Sequence, residues 1–303
     1  MPDRPNILFI CTDQQYSGAM SCTGNPDLKT PAMDKLASQG MRFTNTYCTS
    51  PLCGPARASL FTGCMPHEVG VGENLAGLPE AFRSYELGVL FQDAGYECVY
   101  GGKWHVPELS IPPGHGFRNI CNFDDDQLAD ACIDFLEQDN SEPFFLVASF
   151  DNPHNICEWS RNQHLPWGDI DVPRAEDCPN LPRNFAIPPF EPAEIRPLIA
   201  SKRWAIGAMV DATPEEWRQY RYVYSRLVEK VDREIGRILD ALEQQGLADN
   251  TVVVFTSDHG DGVGAHQIKE KLWLYEEEVT VPLLIRAPGE TATNTVSDKL
   301  VSN

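Results

Sequence analysis

Ser50-Pro51-Leu52-Cys53-Gly54-Pro55-Ala56-Arg57-Ala58-Ser59-Leu60-Phe61-Thr62-Gly63 couples a Cys-x-Pro-x-Arg core to a short helical run and a glycine stop. Pro55 fits the first turn of a helix, where a missing N–H costs nothing because no intrahelical acceptor faces it. Cys53 therefore stands just ahead of a helix N-terminus, whose free N–H groups and positive dipole end attract an anion. Arg57, one turn further on, can point back at the same place. A cysteine taken alone reads as a small buried hydrophobe. In this setting it reads as a reactive group inside an anion site.

Outward from that stretch, strands and helices alternate. Asn6–Thr12 (NILFICT) is a nearly continuous apolar run, the pattern of a strand buried on both faces. Thr30-Pro31 opens a helix through Met33, Leu36 and Ala37 that Gly40 closes. Ser84–Ala94 reads as a helix stopped by Gly95 and feeding a strand at Tyr96–Tyr100, and Asp126–Gln138 as a helix followed by the strand Phe144–Phe150. The strongest helix runs from Pro214 to Gln245, with Thr213 and Glu216 as a capping box and an apolar stripe from Trp217 to Leu242. Strands follow at Thr251–Thr256 and Val281–Arg286. This alternation predicts an α/β fold, a mostly parallel sheet sandwiched by helices. One domain over residues 1–303 is expected, interrupted at 151–213 by an irregular Pro-rich excursion. So long a stretch without a period is read as a functional excursion over the active-site face that helps set substrate choice.

Composition narrows the function. The chain has 303 residues, 42% of them hydrophobic, enough for a large core. Lys and Arg number 24 against 44 Asp and Glu, a net charge of −20. That balance excludes nucleic acid as a partner and weighs against long polyanionic substrates. The ten cysteines form no CxxC pair, and Cys11 and Cys98 lie in apolar runs as buried thiols. No apolar run reaches bilayer-spanning length, so no membrane is expected. With no leader pattern before the first strand, the chain as written reads as cytoplasmic; a mature periplasmic or secreted form stripped of its signal would read identically.

Open parallel sheets bind ligands beyond the carboxyl ends of their strands. Asp13 follows the first strand, His154 follows Phe144–Phe150, and Asp258-His259 follows Thr251–Thr256. Three strands thus deliver carboxylates and imidazoles to one rim.

The Cys-x-Pro-x-Arg stretch resembles the signature of the type I sulfatases, within the alkaline-phosphatase superfamily, and the resemblance extends over nearly the whole chain. It implies an alkaline-phosphatase-like fold and oxidation of Cys53 to formylglycine by a formylglycine-generating maturation enzyme. RPNILFICTDQQ is similar to the family's first strand and metal loop, which implies Asp13 as a metal ligand; Gln14 stands where many members carry a second Asp and offers a neutral carbonyl oxygen. Ser257-Asp258-His259-Gly260 resembles the second metal loop, with His259 where many members carry Asn. The implied metal set is Asp13, Gln14, Cys53, Asp258 and His259. Its oxygen ligands suit Ca²⁺ or Mg²⁺ and its imidazole favours Mn²⁺; Ca²⁺ is the expectation, with Mn²⁺ its rival. Gly102-Lys103-Trp104-His105 resembles the family's GKWH segment, and Asn74, His154 and Lys271 fall where site residues are expected.

These residues imply a reaction. Hydrated formylglycine at 53 supplies the nucleophile for a sulfate monoester of a small alcohol or saccharide. The metal, Lys103, Lys271, His154 and Asn74 bind the sulfuryl oxygens and Arg57 orients the nucleophile. His154, or Lys271, protonates the leaving alcohol, and His105 takes the proton that lets sulfate depart. Two alternatives remain: a phosphonate monoester or phosphodiester hydrolase, whose metal site the Gln14–His259 pairing also resembles, and a non-catalytic binding relative. Relatives usually continue into a smaller C-terminal subdomain, which is expected to be missing after Ser302-Asn303; either the chain is a truncated product or another subunit covers the gap, and the apolar surface left open predicts a homo-oligomer or poor solubility.

Overall fold

Asn6–Asp13 is buried along almost its whole length and forms β1, the axis of an eight-stranded sheet. The computed structural model describes residues 4–138, 142–202, 205–289 and 293–303. The other strands are β2 (Met41–Tyr47), β3 (Glu97–Gly102), β4 (Arg118–Cys121), β5 (Phe144–Pro153), β6 (Thr251–Ser257), β7 (Leu283–Arg286) and β8 (Thr295–Ser302). They lie in the order β4-β3-β5-β1-β6-β7-β2-β8. The five strands from β4 to β6 are mutually parallel, β7 runs antiparallel to both β6 and β2, and β8 pairs parallel with β2. The mostly parallel α/β sheet expected from the alternation is therefore present.

Side chains alternate cleanly between two cores, as the two-residue period of a strand requires. Leu8, Ile10, Leu146 and Ala148 pack on one face beneath the helices Pro31–Gln39, Asp125–Leu136 and Pro214–Gln244. Phe9, Cys11, Phe145 and Val147 point the other way, towards Phe61 of the helix Cys53–Thr62 and towards Trp104 and Phe117. Burial on both faces explains why these strands read as continuous apolar runs.

The helix Pro214–Gln244 starts where its capping box predicts. Thr213 Oγ1 accepts the Glu216 N–H at 3.2 Å, and Glu216 Oε2 accepts the Thr213 N–H at 2.7 Å. Thr213→Ala should cost about 1 kcal/mol in urea unfolding, and an unchanged midpoint would contradict the cap's contribution. Further along, the Asp232 carboxylate accepts the N–H groups of Ala32 (3.1 Å) and Met33 (2.9 Å), capping the Pro31–Gln39 helix from its neighbour. Burial pushes Asp232 up to about 6 from the usual 3.8, opposed by those two N–H groups. A raised carboxyl binds its proton in the folded chain first, so its contribution grows as pH falls through 6 and is lost as pH rises above it. Between pH 8 and pH 5 wild type should gain about 1 kcal/mol relative to Asp232→Asn, and parallel stability–pH curves would contradict this.

Two local expectations are corrected. Ser84–Ala94 is not one helix: a 3-10 turn at Glu80–Tyr85 and the helix Leu87–Asp93 are separated by Glu86 in extended backbone. The buried Glu86 carboxylate is held there by His115 Nδ1 at 2.6 Å. The strand expected from Val281 begins at Leu283, and β2, β4 and β8 were not anticipated.

The Pro-rich stretch folds over one rim with two short helices, Ile156–Ser160 and Ile195–Ser201. Trp159, Trp167 and Phe185 pack against the main core, while Ile195, Ile199 and Ile206 close over Ile268. Among the described residues no helix is long and apolar enough to cross a membrane.

Candidate active site

The parallel strands end on one rim and deliver Asp13 from β1, Lys103 after β3, Asp151 from β5, and Asp258-His259 after β6. The helix Cys53–Thr62 points its N-terminus into that rim. Its first turn is fixed by Asn74, whose Oδ1 accepts the Gly54 N–H at 2.9 Å. A Cβ at Gly54 would lie 3.0 Å from the Asn74 Cα, so any larger residue would force the Asn74 backbone to give way.

Cys53 is fully buried, with its Sγ 2.8 Å from Lys271 Nζ, 3.2 Å from His259 Nε2 and 3.7 Å from Asp13 Oδ1. Asp13 Oδ2 pairs with Lys103 Nζ at 2.7 Å and Arg57 Nη2 at 3.3 Å. Arg57 Nε reaches Asp258 Oδ2 at 2.8 Å, and its Nη1 donates to the Lys103 carbonyl at 2.7 Å and to Ser149 Oγ at 2.9 Å. Arg57 thus bridges two carboxylates that would otherwise repel.

Burial alone would raise Asp13, but Lys103 and Lys271 outweigh it and hold the carboxyl well below its usual range. Burial and Asp13 push the Cys53 thiol up, while Lys271, Lys103 and His259 together pull it well below 9.0. Burial lifts Asp258 to about 6, reinforced by Asp13 and opposed by His259 and Arg57. The pocket is therefore built to carry negative charge at Cys53 and Asp13.

Asp13, Cys53, Asp258 and His259 each present a donor atom within 4.8 Å of the others, all buried. His259 Nδ1 lies 2.8 Å from the Gly260 carbonyl, which can only accept; Nδ1 therefore holds the proton, and Nε2 faces the carboxylates as a ligand atom. Two carboxylates and an imidazole converging in this way fit a divalent cation. Gln14, in left-handed backbone at φ 70°, turns its Oε1 to Lys271 Nζ at 2.9 Å.

His105 and His154 line a neighbouring cleft of about 460 Å³, with Lys103, Phe123 and Trp167. His105 Nδ1 is buried without a hydrogen-bond partner. Burial, then Lys103 and Lys271, depress His154 well below the ordinary imidazole value. The structure thus places Asp13, Gln14, Cys53, Arg57, Lys103, Asp258, His259 and Lys271 in one buried network, and His105 and His154 on its open side. Asn74 stands behind the helix start, its Oδ1 engaged by Gly54.

Sequence reasoning missed Asp151, which pairs with Lys103 Nζ at 2.8 Å, and Asp261, which receives Gln14 Nε2 at 2.7 Å. Both were visible as acids adjoining site loops, Asp151 at the end of an apolar strand and Asp261 two residues past His259.

The chain is 30% identical to a Delta 4,5-hexuronate-2-O-sulfatase of Bacteroides thetaiotaomicron over 95% of its own length and 63% of that relative's. It therefore spans less than two thirds of that relative. The solved structure of a 2-O GAG sulfatase superposes with a TM-score of 0.86 at 29% identity, covering 99% of this chain and 68% of the other. The phosphonate monoester hydrolase of Agrobacterium radiobacter shares the fold, with a TM-score of 0.78 at 23% identity over 99% of this chain and 71% of the other. The Sulfatase family model matches residues 5–303, and with the buried Cys53 cluster at the carboxyl ends of its parallel strands this chain belongs to the Sulfatase family.

Proposed function

We propose that the chain hydrolyses sulfate monoesters at the Cys53 cluster, after a maturation enzyme has oxidised Cys53 to formylglycine. The observation that carries this reading is the surrounding of Cys53 Sγ, which marks where the formylglycine oxygens would stand: Lys271 Nζ at 2.8 Å and His259 Nε2 at 3.2 Å, beside a carboxylate pair and a helix N-terminus. When present, the hydrated aldehyde and a divalent metal supply the attacking oxygen and charge neutralisation. Asp13, Asp258, His259 and the Gln14 carbonyl would hold that metal; Ca²⁺ suits the oxygen donors and Mn²⁺ the imidazole.

The remaining roles fall to this chain's own side chains. Lys103 and Lys271 would grip the sulfuryl oxygens: burial works against their charge, but Asp13 and Asp151 hold the Lys103 proton, and Cys53 and then Asp13 hold that of Lys271. Arg57 keeps Asp13 and Asp258 in place. His154 is neutral at rest, so its proton for the departing alcohol would depend on the substrate's negative charge; Lys271 is the alternative donor. His105, which lines the cleft, would accept the proton whose loss releases sulfate.

A cleft of about 460 Å³ suits a small alcohol or a monosaccharide. Asp124, Asp125, Asp126, Asp151 and Glu158 on its walls disfavour a heavily sulfated polymer, as does the net charge of −20. The hexuronate sulfatase likeness supports a sulfated sugar. A second reading, a phosphonate monoester hydrolase, rests on the Gln14–His259 pair, which resembles the metal site of those enzymes as well as that of choline-sulfatase-like ones. Steady-state kinetics on sulfated monosaccharides and a phosphonate monoester would separate the two. The proposal expects higher kcat/KM for a sulfate ester, and faster phosphonate cleavage would reverse it.

A further inference from the structure

A carboxamide presents an acceptor at one end and a donor at the other, so a glutamine in a charged site must be told which way to face. Gln14 is told by Asp261. The Asp261 carboxylate, which has only acceptors to offer, takes Gln14 Nε2 at 2.7 Å on Oδ2. Asp261 is itself locked by Tyr220 Oη at 2.9 Å, the Val263 N–H at 2.7 Å and the Glu270 N–H at 3.2 Å. With Nε2 drawn outward, Oε1 faces inward and accepts from Lys271 Nζ at 2.9 Å, the same ammonium that lies 2.8 Å from Cys53 Sγ. A flipped amide would set its NH₂ against the Lys271 ammonium and its oxygen against the Asp261 carboxylate, two mismatches at once.

We propose that Asp261 is a positioning residue that fixes the Gln14 carbonyl oxygen towards the metal and Lys271, and that positions 14 and 261 act as one polarity-matched pair. The inference rests on the metal-dependent reading above. The pair places its negative charge one residue further from the metal than an acid at 14 would, and keeps the inner position neutral. Its two members should exchange only together.

The test is a double-mutant cycle of Gln14→Glu, Asp261→Asn and the combination, read by calorimetric titration with Ca²⁺ and, separately, Mn²⁺, at a matched state of position 53. Gln14→Glu alone sets two carboxylates face to face and should weaken metal binding about 10-fold or more. Asp261→Asn alone frees the amide to flip and should also weaken it. In the double variant the asparagine NH₂ donates to the new carboxylate, whose other oxygen faces inward, at the cost of the Glu270 N–H that the Asp261 oxygen had accepted, so most of the lost affinity should return. Melting temperatures in chelator should follow the same pattern, a readout independent of the metal. Additive losses in both readouts would overturn the pairing while leaving the metal reading intact. Wild type that binds neither cation would overturn both. If Gln14→Glu alone fails to fold, a folded double variant supports the pairing; a double variant that fails to fold where Asp261→Asn folds overturns it.

Discussion

Arg57→Leu is expected to destabilise the chain by about 3–5 kcal/mol, the loss that follows removal of one partner from a buried charge network. Arg57 has no solvent exposure and spans Asp13 and Asp258 with separate nitrogens, at 3.3 Å and 2.8 Å. Its third nitrogen holds the Lys103 carbonyl and Ser149 Oγ, so it also ties the ends of β3 and β5 together. Leucine would leave Asp258 facing Asp13 without the cation between them. Arg57→Lys should recover only part of the loss, because one ammonium cannot reproduce a planar fork. Urea unfolding measures both variants. A loss below about 1 kcal/mol for the leucine variant would show that the carboxylates do not depend on Arg57. If Ca²⁺ occupies the site, its addition should narrow the gap between variant and wild type.

The second large effect concerns position 53. Cys53→Ala should lower turnover of a sulfate ester by on the order of 10³-fold or more, since it removes the only group that maturation could turn into a nucleophile there. The cooperative unfolding transition should persist, because alanine keeps the helix N-terminus and Asn74 still holds the Gly54 N–H. Retained activity within about tenfold of wild type would place the nucleophile elsewhere. His105→Ala and His154→Ala, on the cleft side, should lower activity less than Cys53→Ala does.

Much of this architecture was legible in the residues. β1 and β5 are buried on both faces, so a nearly unbroken apolar run was sufficient signal. The long helix announced its start through Thr213-Pro214 and Glu216. The missed strands share a different physics. β2 and β8 are half-exposed and mixed in polarity, with Leu300 77% exposed, so neither alternation nor a run marks them. β4 has only four residues. What defines these strands is a partner across the ladder, and that partner is distant in sequence.

At the site, the metal-loop and helix-start residues were legible because each stands at the end of a readable element. Asp151 and Asp261 stand in the sequence beside the same element ends, but their roles were not legible because they come from contacts rather than from a pattern. Asp151 matters through Lys103, 48 positions away, and Asp261 through Gln14, 247 positions away. Asn74 illustrates the converse. The resemblance placed it among the substrate contacts, and the structure adds a contact that no pattern announced, its Oδ1 accepting the Gly54 N–H at the start of the Cys53 helix.

Sulfate-ester hydrolysis at this site requires that Cys53 become an aldehyde. Mass spectrometry of the peptide spanning Cys53, from protein coexpressed with a formylglycine-generating enzyme, measures that directly. The expected result is loss of the thiol and appearance of the aldehyde at that residue. A Cys53 peptide that stays wholly unconverted, while a known sulfatase is converted in parallel, would contradict it.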